Sequence, residues 1–324
     1  MVKERVQCGL ALDWLESQNW IRDNQIPCLS LGPPGAFDDT HIFAPCVAFE
    51  NGAFIMYYCG SRGAVADRVF RVGRATSQDG VAFVRDSQLP VLSFSYGQKS
   101  VLTPTLLRHP DGSVCREDGK LRMWFSSCDF PSGDPLHTLH ESTSSNGSDW
   151  STPSEPQLEH AYAPTIIKED GVYRMWYTDV RAEPWSFRHA ESRDGCRWDV
   201  FGDAVLSADQ EWEHGRLFYP TVVAADGLYL MWYGSYSHSQ GEEMKTALGF
   251  AVSEDGRSWT KSPRNPVFGP EPSNEWESHY TTSQSVLRLP DGSWRMWYAS
   301  RPAPPFNHKY FAIGTARWVM DDSG

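Results

Sequence analysis

Five copies of one short phrase constrain what this chain can fold into. The phrase is a methionine followed by two aromatic residues: Met56-Tyr57-Tyr58, Met123-Trp124-Phe125, Met175-Trp176-Tyr177, Met231-Trp232-Tyr233 and Met296-Trp297-Tyr298. A turn signal precedes each copy, at Asn51-Gly52, Asp118-Gly119, Asp170-Gly171, Asp226-Gly227 and Asp291-Gly292. Before each turn lies a β-branched or aliphatic run. Pro45, Pro104, Pro164 and Pro220 open four of these runs, and Gln284 stands where the fifth has lost its proline. After four of the triplets, a small-residue strand runs into a second turn at Asp79-Gly80, Asn146-Gly147, Asp194-Gly195 and Asp255-Gly256.

Strand, turn, strand, connection, strand, turn, strand is a four-stranded antiparallel meander. Recurring at roughly fifty to seventy residues, it is the signature of propeller blades. Five copies predict an all-β chain forming a single five-bladed propeller domain, with blades near 43–92, 101–153, 162–206, 218–268 and 281–318. The run Trp20-Ile21-Arg22-Asp23 repeats Phe83-Val84-Arg85-Asp86, the outer strand of the first blade, with no blade in front of it. The last blade lacks that strand. Residues 20–29 are therefore expected to complete it and close the ring, which removes two open sheet edges. A helical turn or two is expected over residues 10–19.

A formal charge of −12 argues against a nucleic-acid backbone or an anionic membrane surface as partner. No apolar run is long enough to span a bilayer, and the N-terminal residues lack the apolar core of a secretory signal. Seven cysteines without a CxxC pair predict free thiols and a cytoplasmic location. The tryptophans sit mostly inside the repeats, where packing between blades accounts for them. Nucleophile-elbow, P-loop, dinucleotide and HExxH motifs are absent.

In a propeller, the first strand of each blade lines the central channel. Its starting end shares a face with the loop after the second strand. Counting four residues back from each strand-opening proline, or its equivalent, gives His41, Ser100, His160, Arg216 and Tyr280. A ring of such side chains would bind a polar ligand or hold a cation. The pairs Phe37-Asp38, Trp212-Glu213 and Trp276-Glu277 recur in the lead-ins, which suggests a structural task without excluding catalysis. Asp39 and Glu159 have no counterparts and lie near ring positions. Glycosidic cleavage needs two carboxylates, one to protonate the leaving oxygen and one to activate water or attack the anomeric carbon. Loops after the triplets add Arg62, Asp129, Asp179, Arg181, Tyr236, His238 and Arg301, suited to sugar hydroxyls or an anion. Trp185 and Trp212 are candidates to stack on a sugar ring.

The pattern resembles the five-bladed β-propeller glycoside hydrolases of families 32, 43, 68, 117 and 130. Gly35-Ala36-Phe37-Asp38, with Pro45-Cys46-Val47, Asn51-Gly52 and Met56-Tyr57-Tyr58, looks like their first blade, and the Ala-x-Ser-x-Asp-Gly-x-x-Trp turns are typical of them. The resemblance implies a base or nucleophile at Asp38 or Asp39, a supporting acid at Glu159 or Asp179, and a general acid at Glu213. It implies hydrolysis of a glycoside, a furanoside or an oligosaccharide end. His41, His160, Arg216, Tyr280, Asp179, Arg62 and Glu277 would hold the substrate. No cofactor is required; a calcium ion in the channel, held through His41 or His160 as in family 43, is the metal it implies. The Asn-Asp-Pro-Asn-Gly, Arg-Asp-Pro and Glu-Cys motifs of family 32 are absent. Three alternatives stay open: a non-hydrolytic alkylating or cyclising enzyme using Arg216 and Tyr280, a phosphorylase seating phosphate on the His/Arg ring, and a non-catalytic glycan-binding propeller. The five lead-ins differ from one another, which favours one asymmetric site.

Overall fold

The computed structural model describes residues 13–95, 98–238, 245–303 and 312–318, with residues 134, 135 and 238 as backbone only. The chain is all-β, its strands grouped in antiparallel units of four strands, with a fifth strand in unit two. Strand β1 is Ile21–Arg22. Unit one is β2 (His41–Glu50), β3 (Ala53–Ser61), β4 (Arg71–Ser77) and β5 (Val84–Arg85). Unit two holds β6 (Ser100–Leu106), β7 (Arg116–Glu117), β8 (Lys120–Asp129), β9 (Asp134–Ser144) and β10 (Leu158–Glu159). Unit three is β11 (Ala161–Glu169), β12 (Val172–Asp179), β13 (Ser186–Ser192) and β14 (Asp199–Val200). Unit four is β15 (Leu217–Ala225), β16 (Leu228–His238), β17 (Lys245–Ser253) and β18 (Thr260–Lys261). The fifth is β19 (Tyr280–Arg288), β20 (Trp294–Arg301) and β21 (Ala312–Trp318), and β1 pairs antiparallel with β21 as its fourth strand.

The second residue of each triplet ties its unit to another. Tyr57 Oη donates to Gly147 O at 2.8 Å, and Trp124 Nε1 to Gly195 O at 2.8 Å. Trp176 Nε1 donates to Gly256 O at 2.7 Å, and Trp297 Nε1 to Gly80 O at 2.8 Å. All four acceptors are glycines of the second turn. Gly195 and Gly256 have φ of +75° and +74°, and a Cβ on either would sit 2.8 or 2.7 Å from the incoming indole. Positive φ and the close approach both call for glycine. For Trp232, the second residue of the fourth triplet, the acceptor is instead Gln18. Its Oε1 accepts from Trp232 Nε1 and from Trp20 Nε1, both at 2.9 Å. These buried donors would otherwise be costly.

The first strands pack in cyclic order, β2 on β6, β6 on β11, β11 on β15, β15 on β19 and β19 on β2. Each carries a register break next to a residue of positive φ: Ala44, Thr103, Ala163, Tyr219 and Ser283. These bulges precede the strand-opening prolines, which cannot donate to the ladder. Gln284 has an amide where the others have a pyrrolidine ring, and its Nε2 donates to Tyr219 O and Trp232 O at 2.7 and 2.8 Å.

One expectation needs correction. Unit two does not end at 153. Leu158–Glu159 forms its edge strand, with Leu158 opposite Leu139 and Glu159 opposite Thr138. The earlier segment makes only an isolated bridge, Trp150 to Ser144. Asp13 and Trp14 are helical, as expected, and Glu16 N donates to Asp13 O at 3.4 Å, while residues 10–12 lie outside the described ones. No helix among the described residues is long and apolar enough to cross a membrane.

Candidate functional site

The starting ends of the first strands surround a cavity of about 200 Å³. Phe43, Phe70, Phe130 and Phe218 form much of its wall, with Tyr162, Tyr219, Tyr236, Tyr280 and Trp185. Its polar corners are Arg68, Arg216, Arg301 and His137. The Arg301 side chain is almost wholly buried, with its guanidinium 4.6 Å from the centre of the Tyr280 ring. Burial draws its pKa down to about 10, so it remains a cation at neutral pH. Arg216 lies 4.5 Å over the Trp185 ring and pairs at the rim with Glu183, Nε to Oε2 at 2.8 Å and Nη2 to Oε1 at 2.5 Å.

The polar groups other than the three arginines are neutral. Burial draws His137 down to about 4, and its ring sits 4.5 Å from that of Tyr162. Burial also pushes the phenols of Tyr162, Tyr219 and Tyr280 up, keeping them protonated. Tyr162 and Tyr219 share a hydrogen bond of 2.5 Å. No carboxylate is among the described lining residues. Inside a chain of net charge −12 this is a local positive field over aromatic walls, suited to an anion attached to a flat or apolar body.

Of the five expected ring positions, Arg216 and Tyr280 reach this cavity. His41 is fully buried, its Nδ1 3.2 Å from Ser61 Oγ and its ring 6.0 Å from Phe70. Ser100 Oγ accepts from Phe70 N at 3.0 Å. His160 faces a separate surface pocket with Glu159, because β10 occupies the edge of unit two just before it. Arg301 and Tyr236 from the post-triplet set line the cavity, as does Trp185, a stacking candidate, whereas Arg62 is exposed elsewhere. The side chain of His238 lies outside the described residues. Asp129 Oδ1 accepts from Ser132 N at 3.1 Å.

The repeated acids occupy buried cages. Asp38 Oδ2 accepts from Tyr58 Oη at 2.9 Å and from Arg85 Nε at 2.7 Å. Glu213 Oε1 accepts from Tyr233 Oη at 2.6 Å, and its Oε2 from Lys261 Nζ at 2.6 Å. Glu277 Oε2 accepts from Tyr298 Oη at 2.7 Å and from Arg22 Nε at 2.9 Å. The base is in each case the outer-strand residue paired with Ala75, Ala251 or Ala316. Phe37, Trp212 and Trp276 lie against Gly73, Gly249 and Gly314 of the third strands, where a Cβ would meet the ring at 2.4 to 2.6 Å. Lead-in ring, acid, triplet tyrosine, glycine and base form one module, used three times. Asp39 is spent locally: Oδ2 accepts from Gly35 N at 2.8 Å and Oδ1 from Thr40 Oγ1 at 3.0 Å. Asp179 is held by Arg181 and Arg188, with oxygen–nitrogen distances of 2.7 and 2.8 Å. Glu159 is exposed on its edge strand. None of Asp38, Asp39, Glu159, Asp179, Glu213 and Glu277 lines the cavity.

A channel calcium does not fit these residues. Calcium requires six to eight oxygen ligands. His41 faces Ser61 and Phe70, and no three His, Cys, Asp or Glu side chains among the described residues come together as a metal site.

Sequence reasoning passed over Arg68, His137, Tyr162 and Tyr219. Tyr219 carried a signal: it stands at the bulge position where the other copies have Ala44, Thr103, Ala163 and Ser283. Arg68 and His137 come from outside the first strands and had no repeat to mark them.

The family model described as Glycosyl hydrolases family 32 N-terminal domain matches residues 164–303. The chain is similar in fold to a glycosyl hydrolase from Bacteroides ovatus, at 17% identity, covering 94% of each chain, with a TM-score of 0.72. A thermostable family-43 glycoside hydrolase matches at 19% identity over 87% of this chain and 90% of its own, with a TM-score of 0.66. A structure titled for the family-130 mannoside phosphorylases, and for glycoside hydrolases among them that target β-1,2 mannosidic linkages in Candida mannan, matches at 17% identity over 93% and 94% of the two chains, with a TM-score of 0.69. An uncharacterized protein of Mycobacterium tuberculosis strain H37Rv is 26% identical over 242 residues, 71% of this chain and 77% of that protein. The resemblance to the propeller glycoside hydrolases holds, and the fold is theirs.

Proposed function

We propose that the five units are blades of one ring closed by β1, and that the chain is a glycoside-processing enzyme working in the axial cavity on an anionic substrate or co-substrate. One observation carries this: three guanidiniums and a set of aromatic rings line the cavity, and no carboxylate does among the described residues. Rings offer faces for a sugar, and Arg68, Arg216 and Arg301 offer donors for a phosphate or carboxylate. Hydrolysis by Asp39 or Asp38 with Glu213 is the less favoured reading, because those carboxylates are committed to Tyr58, Arg85, Gly35, Thr40, Tyr233 and Lys261.

Phosphorolysis agrees better with the lining. A phosphate oxygen attacks the anomeric carbon, the glycosidic C–O bond breaks, and the leaving oxygen takes the proton that the phosphate brought. The cations hold the nucleophile and no second carboxylate enters the balance. The likeness to a family-130 structure is compatible with this reading, that family holding both phosphorylases and hydrolases. The test is product analysis by mass spectrometry on a panel of aryl and natural glycosides, with and without inorganic phosphate. Sugar phosphate formed only with phosphate present is the expected result. Free sugar released equally without phosphate would overturn phosphorolysis. Silence across the panel would favour the non-hydrolytic tailoring reading, to which the stacked pair of Arg301 and Tyr280 lends itself.

A further inference from the structure

Unit three retains one member of the module that units one, four and five share. Opposite its triplet tyrosine, Tyr177, the register places Arg188, where the others have Gly73, Gly249 and Gly314. Opposite Ala190 it places Val200, where the others have Arg85, Lys261 and Arg22. The acids lie three residues before His41, Arg216 and Tyr280; three before His160 is Gln157, and the preceding ring is replaced by Pro156. Gln157 is turned to other partners: its Nε2 donates to Glu141 Oε2 at 3.2 Å and its Oε1 accepts from Trp198 Nε1 at 3.1 Å. Unit two solves the same problem differently. Its triplet ends in Phe125, which needs no acceptor, and Phe94 and His140 pack on that ring at 6.1 and 5.8 Å.

The space that the module fills elsewhere is open in unit three. It is a surface pocket of about 540 Å³ walled by Pro156, Gln157, Tyr177, Arg181, Arg188 and Val200, with Glu159 and His160 also on its lining. In the other three units the tyrosine hydroxyl donates to a carboxylate; among the described residues no carboxylate accepts from Tyr177. Burial pushes that phenol up to about 12, so it remains a donor at neutral pH. Asp179 engages Arg181 through Nε and Nη2 and Arg188 through Nε. One carboxylate thus balances two guanidiniums whose other amino groups it does not use.

We propose that this pocket is a second ligand site, separate from the axial cavity, for a small molecule bearing a carboxylate. The ligand carboxylate takes the place that Asp38, Glu213 and Glu277 fill in the other units, accepting from Tyr177 and from the outward faces of Arg181 and Arg188. Pro156 and Val200, standing where a ring and a base stand elsewhere, give its body an apolar wall.

The test is a ligand-observed NMR titration of the full chain with phenylacetate and with D-glucuronate, against phenylacetamide and D-glucose as uncharged counterparts. The wild type, Tyr177→Phe, Arg181→Met and Arg301→Met are compared, with thermal melts to verify folding. Tyr177→Phe removes no hydrogen bond among the described residues and should fold as the wild type does. At least one carboxylate is expected to bind while its counterpart does not, and to bind about tenfold or more weakly in Tyr177→Phe and Arg181→Met. Binding should be unchanged in Arg301→Met. Preference for phenylacetate or for glucuronate would tell an apolar acid from a sugar acid. Absence of carboxylate binding, indifference to both pocket substitutions, or loss in Arg301→Met alone would overturn the proposal.

Discussion

The side chain of Asp38 is tied into the fold by two partners. It is a lead-in carboxylate on the first unit, where a base was expected, yet it is fully buried and shared between Tyr58 and Arg85. Asp38→Asn should leave Arg85 without its counter-charge. A loss of about 2–3 kcal/mol in urea unfolding is expected, less than for a fully buried pair because Arg85 is partly exposed. An unchanged unfolding midpoint with abolished turnover would return Asp38 to catalysis. The recurrence of ring and acid in three lead-ins was legible in the sequence and pointed to structural work. Its partners were not, because Arg22, Arg85 and Lys261 lie on two-residue outer strands with nothing in their own neighbourhood to announce the pairing. The cavity was legible in part for a related reason. Arg216, Tyr280 and Arg301 follow from repeat positions, whereas Arg68 and His137 enter from loops and third strands that differ from unit to unit.

Among the elements, the second turn is the most regular. Ser77 Oγ accepts from Gly80 N at 2.9 Å, and Asp79 Oδ1 accepts from Val81 N and Ala82 N at 2.8 and 3.0 Å. Ser192 and Asp194, and Ser253 and Asp255, repeat the pattern. In unit two Asn146 does the same work, its Oδ1 accepting from Ser148 N and Asp149 N at 3.0 and 2.9 Å. Asp79→Asn should therefore preserve stability at neutral pH, and Asp79→Ala should cost about 1 kcal/mol. The backbone N–H groups of Ala82 and Val81 hold Asp79 at about 2. A carboxyl depressed on folding contributes stability above its unfolded value, about 4, and loses it as pH falls toward 2. The asparagine variant should lose that part of the acid sensitivity in pH-dependent melts. A turn that Asn weakens as much as Ala would contradict the account. The turn was readable because its residue types follow directly from its hydrogen bonds. The edge of unit two was not readable, since Leu158–Glu159 has the look of a lead-in and only tertiary pairing with Leu139 and Thr138 makes it a strand.

For the whole molecule, the N-terminal segment matters most. Gln18 accepts from two buried indoles, one of them in unit four, and β1 supplies both the edge of β21 and the Arg22 partner of Glu277. Trp14 adds an edge contact to Trp294 at 5.3 Å and to Trp318 at 5.7 Å. Gln18→Met leaves two indole donors without an acceptor. A loss of about 2–4 kcal/mol is expected in denaturant unfolding, reported equally by tryptophan fluorescence and far-ultraviolet dichroism. Loss of the fluorescence transition alone would mean that the segment is an appendage and not the last piece of the ring. The repeat made the pairing of β1 with β21 legible, because Trp20-Ile21-Arg22 copies the outer strand Phe83-Val84-Arg85.

On the proposed function, the arginine-lined cavity, and not the caged carboxylates, does the chemistry. The measurement that tests it most directly compares turnover per folded molecule for the wild type, Arg301→Met and Glu213→Gln on a glycoside the wild type processes. The account predicts a fall of about a hundredfold for Arg301→Met, the scale of losing one oriented donor at a developing charge. It predicts no fall for Glu213→Gln beyond the fraction that fails to fold. A hundredfold loss in well-folded Glu213→Gln, with Arg301→Met near the wild type, would contradict it and restore the paired-carboxylate reading.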